Sequence, residues 1–363
     1  MTESAESAGG TLTESERRRR VLAARLGVEV PLFSAPMAGV AGGRLAAAVS
    51  TAGAFGMIGV GASMTSEEIR AQCAIAAASG RPYGVGLMAW ALAESPQRLD
   101  AVLSLRPALV SVSFGDLTPW VRRIQDAGVL VATQVADGSE ARAAVDAGVD
   151  VIVARGAEAG GHGLDRMGTL PLLDAVLDVA GAVPVVAAGG VTSPGALAAV
   201  VAAGAAGAWV GTAFLACPEA LNTAAARARV VAASGDDTVV TRVFDIAQRI
   251  PWPEPYAGRA LRNAFTRRWH GNEAALAADL GASEVLASAK ANGNYDIAYI
   301  YAGQGVGAVT EERPAAQIVA DLVNGARDLL GPGWLTSVEA LSVGTTVDAS
   351  ATAADQGDDA DRS

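Results

Sequence analysis

The chain predicts an α/β protein, a (β/α)8 TIM barrel carrying a C-terminal helical appendage or lid. Three observations carry this. Eight short apolar runs recur at a regular beat, each followed by a helical pattern. The runs are continuously apolar rather than alternating, as parallel strands covered on their outer face are. The informative glycine-rich loops all follow strands, at the end where barrels build their sites. An open doubly wound sheet would want a Gly-x-Gly-x-x-Gly turn after its first strand, and none stands there.

In order, the chain reads as follows. A first helix over 13–25 carries Arg17-Arg18-Arg19-Arg20, read as a solvated face. Strand one, from Val30, ends in Ala35-Pro36-Met37-Ala38-Gly39, and a helix over 44–52 stops at Gly53. Strands over 54–60, 83–88, 108–113 and 129–135 alternate with helices over 66–78, 96–105, 119–127 and 139–147. Gly80, Gly128 and Gly148 stop three of those helices, as glycine does at a C-cap. The sixth strand covers 150–154, the seventh 183–188 and the eighth 207–211, with helices over 170–179 and 194–203 between them. The domain boundaries expected are a tail and helix over 1–27, a barrel over 28–217, a helical appendage over 218–344 and a disordered acidic tail over 345–363. The tail is rich in Ala, Asp, Thr and Ser without periodicity. Removing it is expected to leave thermal stability and activity unchanged, and a drop of more than a few degrees in Tm would show that it docks.

Composition narrows the function classes. A length of 363 residues suits one large barrel or two ordinary domains. No apolar stretch is long and unbroken enough to span a membrane, and the opening residues lack the charged start and apolar core of a secretory signal. Cys73 and Cys217 sit in apolar surroundings, which predicts buried thiols, a reducing compartment and a cytoplasmic location. The net charge of −11 argues against a nucleic-acid partner. Lys290 is the only lysine, so Schiff-base chemistry is poorly supported. A homo-oligomer remains open.

The chemistry concentrates in the stretch Ala154-Arg155-Gly156-Ala157-Glu158-Ala159-Gly160-Gly161-His162-Gly163, a loop after the sixth strand. His162 is one of two histidines, and imidazole exchanges a proton near neutral pH without a large shift. Glu158 either orients His162 or holds the loop by accepting backbone N–H groups, and the second is preferred. His270 reads as structural. After the seventh and eighth strands come Gly189-Gly190 and Val210-Gly211-Thr212, where barrels commonly bind phosphate through bare backbone amides. The appendage holds a proline-rich loop around Trp252, a glycine-rich loop around Gln304, and an unusual density of aromatics: Trp252, Tyr256, Phe265, Trp269, Tyr295, Tyr299 and Tyr301. These read as a satellite core, as a lid over the barrel mouth, or as both.

Taken together, Ala35-Pro36-Met37-Ala38-Gly39, Gly156-Ala157-Glu158-Ala159-Gly160-Gly161-His162, Ala187-Ala188-Gly189-Gly190 and Gly211-Thr212 resemble the motifs of the nitronate monooxygenase family. The segment Asp237 to Arg242 and the Gly303-Gln304-Gly305 loop are similar to it as well, so the resemblance runs from about Val30 to Ala320. It implies an FMN-binding barrel with His162 as the active-site histidine. It also implies cofactor contacts from Pro36, Met37, Ala38, Gly39, Gly86, Gln134, Arg155, Gly160, Gly161, Gly189, Gly190, Trp209, Val210, Gly211, Thr212 and Gln304, and no metal. Three positions depart from the family pattern: Gly86 where members often carry asparagine, Arg155 where glutamine is usual, and Trp209 where an amide is usual. Arg155 would either face the electron-rich end of the flavin or form an outward ion pair.

The activity expected is FMN-dependent oxidation of nitroalkanes or nitronates, small-molecule substrates, with O2 to a carbonyl compound and nitrite. His162 would be the base. The alternatives are an FMN- and NADH-dependent enoyl-thioester reductase and a flavin-binding protein without oxidase activity.

Overall fold

A computed structural model describes residues 12–331 and Trp334. The expected disorder over 345–363 and in the first dozen residues lies outside the described residues, apart from residue 12. Eight parallel strands form the barrel: β1 (Leu32–Ser34), β2 (Gly56–Gly59), β3 (Tyr83–Met88), β4 (Leu109–Ser113), β5 (Leu130–Val135), β6 (Val151–Arg155), then β8 (Val185–Ala188) and β9 (Gly207–Val210). Between β6 and β8 lies a short strand, β7 (Gly161–Gly163), which belongs elsewhere. The barrel order is β1-β9-β8-β6-β5-β4-β3-β2, and the parallel bridge Phe33–Phe55 joins its two edges. Every strand residue from Val151 to Arg155 is buried, as the continuous apolar runs predict.

Two layers of core follow from the strand period of two. One set of side chains faces the surrounding helices. The other fills the barrel interior, with Phe33, Met57, Leu109, Val153, Val186 and Trp209 among its members. The first helix, Glu14–Leu26, is more than a solvated face. Leu22 and Leu26 are 1% exposed and join that interior cluster beside Leu109 and Val151, the first residues of their strands, so the helix closes the barrel floor. Even Arg19 is buried, donating from Nη1 to the Trp334 carbonyl at 3.1 Å. Both cysteines are buried free thiols, pushed up by burial to about 11 for Cys73 and about 12 for Cys217.

Beyond β9 the chain leaves the barrel, builds the appendage and returns. The helix Ala315–Leu330 buries a stripe of Ile318, Val319, Leu322, Val323 and Ala326 against the helices Pro194–Ala202 and Gly43–Thr51. It therefore supplies the last outer helix of the barrel. The appendage is not purely helical. Its β10 (Thr238–Thr241) and β11 (Ala257–Leu261) pair antiparallel, and β11 pairs in turn with β7. So the histidine loop is itself the edge of a three-stranded sheet, with His162 opposite Gly258. Strand β11 is short, contains Ala and Gly, and follows a proline-rich loop, which hides it from a periodicity reading.

Candidate active site

The site is assembled where β6, β8 and β9 end. Arg155, the last residue of β6, turns its guanidinium beneath the loop that follows. Its Nη2 lies 3.3, 3.1 and 2.9 Å from the carbonyl oxygens of Ala159, Gly160 and Gly161. The group is 7% exposed, and burial, with Arg259 nearby, pushes it down to about 10, so it keeps its charge at neutral pH. Arg155 is thus an internal clamp on the histidine loop rather than an outward ion pair. The contact is so close that a Cβ at Gly163 would stand 2.0 Å from Arg155 Nη1. Arg155→Met is expected to strand these carbonyls and cost about 1–3 kcal/mol. Chemical denaturation of the two proteins tests this, and an unchanged midpoint would refute it.

Glu158 holds the loop from the other side. Its carboxylate accepts the Thr169 N–H at 2.9 Å and the Thr169 hydroxyl at 2.7 Å, and it makes no contact with His162. The backbone N–H of Gln304 donates to the Glu158 carbonyl at 2.9 Å, Gly303 N–H donates to Thr212 Oγ1 at 3.0 Å, and the Thr192 hydroxyl donates to the Gly305 carbonyl at 2.8 Å. The loops after β6, β8 and β9 and the Gly303-Gln304-Gly305 loop therefore meet at one mouth.

His162 is held by Asp245, which the sequence reading did not single out, and by two of the appendage aromatics it did, Tyr301 and Trp252. Its Nε2 lies 2.9 Å from Asp245 Oδ1, and the Tyr301 hydroxyl donates to the same oxygen at 3.1 Å. Asp245 sits on a short helix, Val243–Gln248, and is 2% exposed. Burial, then the neighbouring carboxylate, raises the Tyr301 phenol well above its usual range, so it stays a donor. The Trp252 ring lies flat on the imidazole at a 3.7 Å centroid distance and 6° between planes. Trp90 and Phe114 meet Trp252 edge-on at 5.3 and 5.2 Å, and Tyr256 meets Phe114 at 5.4 Å. The Arg242 guanidinium fixes the Trp252 carbonyl at 3.1 Å. The appendage aromatics thus divide: Trp252 and Tyr256 lie over the site, while Phe265 and Trp269 form a separate core with Phe244. His270 contacts Thr241 Oγ1 at 3.2 Å, away from this group.

The remaining predicted positions are placed as follows. Gly189 and Gly190 have φ of 118° and 69°, conformations that glycine adopts without strain. A Cβ at Gly190 would meet nothing nearer than 3.6 Å, and one at Gly161 nothing within 4 Å, so open space adjoins both. Met37 lies against Gly211, and Ala38 bridges to Gly59 ahead of the Gly39 turn. The ring of Pro36 covers Gly86, where a Cβ would fall 2.4 Å from its Cγ. Gln134 and Arg155 share a cavity of about 280 Å3 with Thr133, Leu164, Phe114 and Tyr256. Val210 ends its strand by accepting the Ala35 N–H at 2.8 Å. Trp209 is set apart: its ring stacks on Phe33 at 5.9 Å inside the barrel and is part of the interior filling.

A barrel whose strand ends gather glycine loops, one buried histidine–carboxylate pair and an aromatic cover defines an enzyme of the (β/α)8 class with its site at the strand C-termini. The particular family follows from likeness to known proteins. The family model for nitronate monooxygenase matches residues 19–97 and 89–325, and the chain belongs to that oxidoreductase family. The nitronate monooxygenase of Pseudomonas aeruginosa is 30% identical over 356 residues, covering 83% of this chain and 97% of that protein. Among solved structures, FabK from Thermotoga maritima superposes with a TM-score of 0.74 at 28% identity, covering 85% of this chain and 96% of that one. The nitroalkane oxidase from Streptomyces ansochromogenes superposes with a TM-score of 0.70 at 30% identity, covering 83% and 96%. No helix among the described residues is long and apolar enough to cross a membrane.

Proposed function

We propose that this protein oxidises nitroalkanes or their nitronates with O2, using FMN, to a carbonyl compound and nitrite. The observation that carries the reading is His162, buried on Asp245 in the same mouth as the open Gly161 and Gly190 backbone. A neutral nitroalkane carries an acidic α-proton. His162 takes it, leaving the nitronate and an imidazolium held against the Asp245 carboxylate. Bound FMN supplies the two-electron redox chemistry between the nitronate and O2. The chain's own residues bind and shield. Backbone N–H groups at Gly189, Gly190, Gly211 and Thr212 would hold the single terminal phosphate, a cradle that needs no lysine. Trp252, Trp90 and Phe114 keep bulk water from the histidine.

The purified protein is expected to be yellow and to release FMN on denaturation. Release of FAD, or an apo protein that ignores added FMN, would sink the reading. The likeness to FabK favours one rival, reduction of an enoyl thioester with NADH. Anaerobic mixing separates the two: bleaching of the flavin by nitronates but not by NADH supports the oxidase, and the reverse supports the reductase.

A further inference from the structure

We infer that Asp245 is the positioning residue of His162 and assigns its two ring nitrogens different tasks, so that Nδ1 alone exchanges the proton. This rests on the reading of His162 as the base and deepens it. An ionised carboxylate only accepts hydrogen bonds. Asp245 Oδ1 accepts the Tyr301 hydroxyl at 3.1 Å and lies 2.9 Å from His162 Nε2, which an ionised carboxylate can meet only as a donor. The phenol is held protonated by its burial. Nε2 must therefore carry its hydrogen whether the ring is neutral or charged, and the neutral ring is the Nε2–H tautomer. The lone pair that accepts the substrate proton is then on Nδ1, which makes no hydrogen bond among the described residues. The proton taken from carbon ends on Nδ1, and the charge this creates faces Asp245 through the ring.

The packing agrees with a positioning role. Oδ2 of Asp245 is buried without a partner, so every hydrogen bond that holds this carboxylate runs through the one oxygen that meets His162 and Tyr301. Trp252 lies parallel to the imidazole at 3.7 Å, which fixes the ring plane but leaves open the 180° flip about the Cβ–Cγ bond that exchanges Nε2 with Cε1, and a hydrogen bond to Nε2 selects between the two. Asp245 supplies that bond from a different element, 83 residues along the chain. In metal sites, partners that fix a histidine's tautomer and ring orientation are worth about 10–100-fold in activity, and an effect of that scale is expected here.

The test is spectroscopic first. In the FMN-loaded protein labelled with 15N-histidine, His270→Gln identifies the His162 signals. The neutral ring should show a protonated Nε2 and a bare Nδ1, with the Nε2–H protected from solvent exchange. A neutral ring protonated at Nδ1 overturns the proposal without any mutation of the site. In Asp245→Ala the protected Nε2–H signal should vanish, and kcat/KM on nitroethane should fall about 10–100-fold. The rate on pre-formed ethyl nitronate should fall far less. Survival of both the protected signal and the nitroethane rate in Asp245→Ala would overturn the assignment. The tautomer is read without substrate, so it stands apart from the kinetics that test His162 as the base.

Discussion

Replacing His162 by Asn should cost roughly 10²–10⁴-fold in turnover of neutral nitroalkanes, the usual worth of a positioned general base. Pre-formed nitronates should lose much less, because their proton is already gone. FMN content should persist, since the predicted phosphate loops follow β8 and β9 and His162 lies on β7. The side-by-side comparison is what gives the variant its meaning. A residue that merely filled the space under Trp252 would, when removed, lower both rates alike or loosen the appendage through its β7–β11 pairing. Equal losses on nitroethane and ethyl nitronate in a folded, flavin-loaded His162→Asn protein would refute the base assignment.

The second large effect concerns the phosphate cradle. Gly211→Val and Gly190→Val should each empty the protein of FMN while the barrel stays folded. Gly211 is the cleaner of the two. Its φ is −107°, an ordinary value for any residue, and an added Cβ would meet Ala35 and Met37 only at van der Waals distance, 3.4 Å. Folding should tolerate the change, whereas the amide can no longer be approached closely. Gly190 has φ of 69°, so valine there adds backbone strain of roughly 1–2 kcal/mol as well. FMN per chain, measured after denaturation, together with far-UV circular dichroism, decides the matter. Normal FMN stoichiometry in both variants would place the phosphate elsewhere.

Much of this protein was legible from its sequence. A parallel strand buried on both faces leaves a continuous apolar run, and a glycine closes the helix after it; both are local signals. The eight runs, their order and the barrel class therefore followed without coordinates. So did the special loops, because Gly160-Gly161-His162-Gly163, Gly189-Gly190 and Gly211-Thr212 are unusual in composition as well as in place. The glutamate was also legible: Glu158 holds Thr169 across eleven residues, a local loop contact.

Tertiary structure alone decided the rest. Whether Arg155 points inward depends on three carbonyls gathered by a loop fold, which no spacing reveals. Arg-rich residues 17–20 read as solvated, yet the apolar stripe that follows them, Leu22 and Leu26, seals the barrel floor. The partner of His162 was the deepest omission. Asp245 lies 83 residues away on a six-residue helix, and Trp252 follows in a proline-rich loop. Their meeting is created by β7 pairing with β11, a contact between backbones of weak strand pattern. Local periodicity records which face of an element is buried. It carries no record of which distant side chain completes a hydrogen bond, because that is set by how whole elements pack.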